Sequence, residues 1–220
     1  MGEALWVGVV DSGWPSVLQH RVALARSWVW PDGDARDRNG HGTRTLQAIA
    51  TGAPGVRFAV AQVFGEALRT DGDRVAQALD WLVEQGAAVV NLSLGVRRDH
   101  APLRAACERA LAQGCVLIAS TPARGEPVFP AAYPGVIRVM GDARCATGQH
   151  SALLLPHADF GACVLPPDGD RTHAGASLGS AHLSGRVAAL LAGGLAGGRE
   201  AVWQALVATA DFHGPEHRSR

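Results

Sequence analysis

Short apolar runs punctuate the chain at residues 5–10, 57–64, 87–92, 115–120 and 135–141, each followed by a small or polar residue. Runs of this length with few polar members read as strands covered on both faces. The segments between them carry apolar residues three and four apart. Leu46, Ile49 and Ala50 follow His41-Gly42-Thr43 and stop at Gly52 and Pro54. Val75, Ala78, Leu79, Leu82 and Val83 share one face over residues 73–85, closed by Gly86. Residues 101–113 and 200–209 repeat the pattern, and a strongly apolar helix opens near Ser177 and runs through Val187, Leu190 and Leu191. The spacing of Val17, Leu18, Val22 and Ala25 predicts one more helix over residues 16–28, and shorter strands are predicted at 152–155 and 160–165. Strands alternating with helices through short links predict an α/β fold, a mostly parallel sheet with helices on both faces. In such sheets the sites sit beyond the carboxyl ends of the strands.

Composition narrows the partners. Hydrophobic residues make up 47% of the 220, enough for a sizeable core, and the expected organisation is a single domain over 1–213 with a frayed polar tail at 214–220. Formal net charge is zero and no basic run stands out, so neither nucleic acid nor an anionic membrane is an expected partner. The longest apolar stretch, near Val187 to Leu195, is broken by glycines and falls short of a membrane span. The N-terminus passes from Met-Gly-Glu-Ala into the first strand without a basic segment or cleavage site, which predicts a cytoplasmic protein. Cys107, Cys115, Cys145 and Cys163 show no zinc spacing; Cys107 and Cys115 read as buried thiols, with a Cys145–Cys163 disulfide as the lesser alternative.

Three residues carry candidate chemistry. Ser177 lies between small residues (Gly175, Ala176, Gly179) at the mouth of an apolar helix. Unpaired N–H groups and the helix dipole favour an oxyanion there. Asp11 ends the first strand and His41 opens a helix. A serine nucleophile needs a base to take its proton and an anion to orient that base. Each residue alone reads more readily as a cap, a turn or a structural residue; together they form a constellation.

With these contexts the chain resembles the subtilisin family of serine peptidases. The resemblance rests on Asp11-Ser12-Gly13 after an apolar strand, His41-Gly42-Thr43 opening a helix, Ser93-Leu94-Gly95 closing a strand, Gly175-Ala176-Ser177 through Gly185, and Phe129-Pro130-Ala131-Ala132-Tyr133-Pro134. The order Asp, His, Ser is that of the family's triad. The resemblance implies a three-layer subtilisin-like fold and an endopeptidase, with Asp11 orienting, His41 as base and acid, and Ser177 as nucleophile. It further implies that Ser93, Leu94 and Gly95 pair with substrate as an added strand. Ser120, Thr121 and Pro122 would face them across the pocket for the residue before the cleaved bond. A cis Phe129–Pro130 bond and a structural role for His182 follow in the same way, whereas His173 has no matching role and reads as a loop residue.

The chain departs from the family in ways that bear on rate and partner. Where the family has an oxyanion-binding asparagine, this sequence reads Ala119-Ser120-Thr121-Pro122, and Ala176 replaces the threonine before the nucleophile. In subtilisin itself, loss of that one donor costs about 10²–10³ in rate. The expected enzyme is therefore slow. Residues 51–56 leave little room for the calcium loop of secreted relatives, no prosegment is expected before the first strand, and no metal or cofactor is expected. Asp32, Asp34, Asp37, Asp71 and Asp73 read as solvated loop carboxylates. A slow intracellular subtilisin suits the removal of a leader peptide from one dedicated precursor, with the precursor's modifying enzyme as a further partner. A narrower resemblance is to the processing protease that acts on the small subunit of quinohemoprotein amine dehydrogenase. The alternative is a pseudoprotease retained as a peptide-binding or scaffold module. An α/β-hydrolase reading of Gly175-Ala176-Ser177-Leu178-Gly179 fails, because too little chain follows the serine to supply an acid and a histidine on later strands.

Overall fold

A computed structural model describes residues 5–196 and 198–216. Nine strands among them form one sheet: β1 (Trp6–Asp11), β2 (Val22–Ser27), β3 (Arg57–Gln62), β4 (Val89–Leu92), β5 (Val116–Ser120), β6 (Ile137–Gly141), β7 (His150–Ala152), β8 (Phe160–Ala162) and β9 (Phe212–His213). Their order across the sheet is β2-β3-β1-β4-β5-β6-β8-β7-β9, and every pairing is parallel except β7 with β8. Helices α1 (His41–Gly52), α4 (Ala176–Ala192) and α5 (Gly198–Ala208) cover one face, while α2 (Gly72–Glu84) and α3 (Ala101–Ala112) cover the other. The fold is the three-layer α/β arrangement read from the sequence.

Strand alternation sorts the core. Val7 and Val9 face Leu46 and Ile49 of α1 and Ala181 of α4, whereas Val10, Val90 and Leu92 face Leu79, Leu82 and Leu103. A third cluster seats Ile118, Ile137 and Phe160 under Leu183, Val187, Val202 and Leu206. After β1 the chain builds β2 and β3 to one side, then returns to place β4, β5 and β6 on the other. The carboxyl ends of β1 and β4 therefore flank the point where strand order reverses, the natural cleft of an open α/β sheet.

The helix expected over residues 16–28 is not formed. Ser16–Arg21 is a short 3-10 stretch and Val22–Ser27 is the edge strand β2, paired in parallel with β3. Apolar residues at 17, 18, 22 and 25 satisfy helical spacing, but Val17 stays 67% exposed. Pairing with β3 gives the backbone of 22–27 its partners instead. Arg21 fixes the change of direction by donating to the carbonyls of Ala53 (2.7 Å) and Val56 (3.0 Å). The strand predicted at 152–155 ends at Ala152, where Leu153 and Leu154 turn back onto the Asp159 carbonyl. At the C-terminus, Gly214 donates to Ala152 and accepts from Arg144, so the first residue of the expected frayed tail is held to the sheet; residues 217–220 lie outside the described residues. Phe129–Pro130 is cis, and the four cysteines are unpaired and buried.

Helices α1 and α4 touch backbone to backbone. A Cβ on Gly185 would lie 2.7 Å from the Ile49 carbonyl oxygen, and one on Gly52 would lie 3.0 Å from the Gly185 carbonyl carbon. Gly185→Ala should therefore lower stability by about 1–3 kcal/mol through overpacking, read as a fall in Tm of about 2–4 °C per kcal/mol. Gly55→Ala, at a site with no atom within 4 Å, should leave Tm unchanged.

Candidate active site

Asp11 ends β1 and is fully buried. Its Oδ1 accepts from the Ser12 N–H at 2.7 Å and lies 2.7 Å from His41 Nδ1; its Oδ2 accepts from Thr45 Oγ1 at 3.0 Å. An ionised carboxylate accepts only, so the imidazole proton sits on Nδ1 and Nε2 is left as the basic nitrogen. Burial alone would push the His41 imidazole down, but the charge of Asp11 and its hydrogen bond outweigh it and raise the pKa.

The start of α1 is set by a residue that sequence reasoning put in solvent. Asp37 accepts from Ser12 Oγ, from the N–H groups of Asn39 and Gly40 at 2.9 Å, and from both the N–H and Oγ1 of Thr43. It satisfies donors that the first turn would otherwise leave open. Burial would raise its carboxyl; the hydrogen bonds from Thr43, Gly40 and Asn39 prevail and hold it below the usual carboxylate range. Asp71 likewise caps α2 by accepting from Arg74 N–H at 2.8 Å, and Asp34 pairs with Arg36 and Arg38. The β1 turn and α1 approach so closely that a Cβ on Gly42 would fall 2.3 Å from the Gly13 carbonyl oxygen.

Ser177 is the second residue of α4. Intrahelical bonds begin with Leu178 and Gly179 donating to Gly175, so the N–H groups of Ala176 and Ser177 have no partner among the described residues. The Ser177 hydroxyl donates to the Ser93 carbonyl at 3.3 Å. Beneath it lies a buried polar ladder that the sequence did not reveal. Ser93 Oγ and Ser180 Oγ both donate to the Ser177 carbonyl at 2.9 Å, Asn91 Nδ2 donates to Ser93 Oγ at 2.9 Å, and Ser184 Oγ donates to Asn91 Oδ1 at 3.0 Å. The serines at 177, 180 and 184 form a stripe at helical spacing, and Asn91 is the polar residue within an apolar strand. Those two features are the signal that could have found the ladder.

The cleft, of about 710 Å³, brings together His41, Ser177, Ser93, Leu94 and Gly95. Of the expected opposite wall, none of Ser120, Thr121 and Pro122 lines this cleft. Ser120 ends β5 and is buried, Thr121 donates its N–H to Val139 and opens onto a second cavity of about 250 Å³, and Pro122 follows half-buried. Val128 borders that second cavity and packs on Gly95, so closely that a Cβ on Gly95 would fall 2.9 Å from Val128 Cβ. The side chain at 128 thus stands between the two hollows. His182 is buried and bonded to the Leu165 carbonyl at 2.8 Å, and His173 is exposed beside Asp170. Among the described residues, no cluster of three or more His, Cys, Asp or Glu side chains could hold a metal.

Residues 2–153 match the Peptidase_S8 family, the subtilases. The alkaline elastase YaB of Bacillus sp. (strain YaB) is 27% identical over 208 residues, covering 86% of this chain and 54% of that one. A cold adapted subtilisin-like serine proteinase superposes with a TM-score of 0.73 at 21% identity, over 93% of this chain and 81% of that one. A lanthipeptide protease gives 0.67 at 18%, over 92% and 79%. The chain belongs to the subtilase family. It spans about half the length, or less, of the curated relatives it matches.

The balance at His41 gives a direct expectation. Followed by NMR, the wild-type imidazole should titrate above the ordinary value of about 6.5. In Asp11→Asn the midpoint should fall below that of the wild type, because burial, which disfavours the cation, is then opposed by no neighbouring charge of Asp11. An unchanged midpoint would mean that Asp11 does not govern the imidazole.

Proposed function

We propose that this protein is a serine endopeptidase in which Ser177 attacks a peptide carbonyl, His41 Nε2 accepts the hydroxyl proton, and Asp11 orients the imidazole and stabilises its charged form. His41 then protonates the leaving amine, and water resolves the acyl-enzyme by the same proton route. The observation that carries the reading is the 2.7 Å contact of His41 Nδ1 with a fully buried Asp11, in a cleft that also contains Ser177. The free N–H of Ser177 is the donor available to the developing oxyanion. Leu94 and Gly95 line the cleft and have no backbone partner among the described residues, which suits pairing with an extended peptide.

The enzyme is slow in this reading, since no asparagine stands where the family places one. A slow peptidase serves where each cut is made once, which favours removal of a leader peptide from a dedicated precursor. The lanthipeptide protease among the fold relatives and the four free thiols, which fit a reducing cytoplasm, support that role. The small subunit of quinohemoprotein amine dehydrogenase is the narrower substrate to try, together with its modifying enzyme as a partner. One observation favours the pseudoprotease alternative: the hydrogen bond of the Ser177 hydroxyl goes to the Ser93 carbonyl and not to His41.

A fluorophosphonate probe separates the two. The wild type should label at Ser177, while Ser177→Ala and His41→Ala should lose labelling and peptide cleavage yet unfold at the wild-type temperature. A folded wild type that does not label belongs to the pseudoprotease reading. Introducing an asparagine as Pro122→Asn, at a half-buried position outside the lining of the second cavity, should raise kcat on a simple peptide, with a ceiling near the ~10²–10³ that one such donor supplies in subtilisin.

A further inference from the structure

The cleft walls hold no carboxylate. Two chain segments build most of them, Ser93 to Arg97 and Phe64 to Thr70, and each contributes one arginine: Arg97 from the first, Arg69 from the second. Both side chains are exposed, and neither forms an ion pair or hydrogen bond with a described residue. Elsewhere the molecule neutralises arginines beside its hollows. Arg138, at the second cavity, pairs with Asp159, and Arg144, in a hollow of about 230 Å³ near the C-terminus, pairs with Asp142. Glu66, in the same segment as Arg69, is exposed, is not among the cleft-lining residues and forms no ion pair with either arginine, and the other nearby carboxylates have partners of their own. Asp71 caps α2, while Asp99 pairs with Arg104 and accepts from the Tyr133 hydroxyl.

The position of Arg97 is anchored. Val96 before it exchanges both backbone hydrogen bonds with Phe129, at 2.8 and 2.9 Å, so Arg97 leaves the cleft edge from a fixed point next to the open Leu94–Gly95 backbone. Beside Arg69, Leu68 is 49% exposed and adds an apolar surface to the same cleft. Two unpaired guanidinium groups flanking a backbone able to take an extra strand suit a peptide that brings its own carboxylates.

We propose that the cleft selects acidic peptide segments, Arg69 and Arg97 receiving Asp or Glu side chains of the stretch that pairs with Leu94 and Gly95. This inference rests on the reading of the cleft as a peptide site. Exposed pairs are individually weak, so selection comes from two of them acting together and is sensitive to salt.

The test uses Ser177→Ala, so that binding is read without cleavage, and two fluorescein-labelled peptides: Ala-Glu-Leu-Glu-Ala-Ala-Ser-Ala and the same sequence with both glutamates replaced by glutamine. Anisotropy should show the Glu peptide binding about tenfold more tightly at low salt, as two exposed pairs allow. The preference should shrink as sodium chloride is raised and fall to near unity in Ser177→Ala carrying Arg69→Gln and Arg97→Gln. Equal binding of the two peptides, binding of neither, or a preference that survives the double arginine change would each overturn the proposal. Fluorophosphonate labelling of the wild type is scored separately. Labelling without an acidic preference sinks the selection alone; a preference without labelling sinks the hydrolytic reading and leaves an acidic-peptide binding module.

Discussion

The close approach of α1 and α4 is the constraint on which the rest of the molecule depends. His41 opens one helix and Ser177 lies in the first turn of the other, and neither sits on the strand that carries Asp11. Their relative placement is therefore decided where the two helices cross, at Gly52, Ile49 and Gly185, with almost no side-chain volume between the backbones. At the other end of α1, Gly42 meets Gly13 just beyond Asp11. Glycine is required at such contacts because any Cβ would occupy the space of a carbonyl, and a rigid interior passes such a displacement to its neighbours.

Around this contact the protein buries polar groups that must all be satisfied. Asp11 takes three hydrogen bonds inside the core, Asp37 gathers the donors of the α1 entrance, and the Asn91 and serine ladder ties the end of β4 to the first turns of α4. A buried carboxylate or amide left without partners costs far more than a complete set contributes. Such networks therefore specify one arrangement of the strand ends and helix mouths. The raised His41 pKa is a consequence of the same economy: the imidazole is buried, yet its cation is favoured because Asp11 is held beside it.

Much of this was legible along the chain. Apolar runs with polar ends located β1, β3, β4, β5 and β6, and helical spacing located α1 to α5, because those elements face the core on a clear period. Residues 16–28 satisfy helical spacing, yet an edge strand that is only partly buried can do so as well, and only pairing with β3 decides between them. Ser177, His41 and Asp11 stood out by motif. Their supports did not, since Ser184 and Asn91 are 93 residues apart and meet only through the fold. Asp37 lay in a stretch rich in charge, and nothing local says that backbone donors converge on it. The wall expected from Ser120 to Pro122 rests on resemblance alone, and no local pattern signals that Val128 packs on Gly95 or that Thr121 borders a second cavity.

Ser93 joins two functions that are usually pictured apart. Its carbonyl holds the hydroxyl of Ser177, its own hydroxyl holds the carbonyl of the same residue, and the backbone that follows it is the open edge of the cleft. Rim and serine are thus hydrogen-bonded into one unit. Any shift of the backbone at Ser93 would disturb both contacts with Ser177 at once, so the position of the Ser177 hydroxyl is coupled to that of the cleft rim.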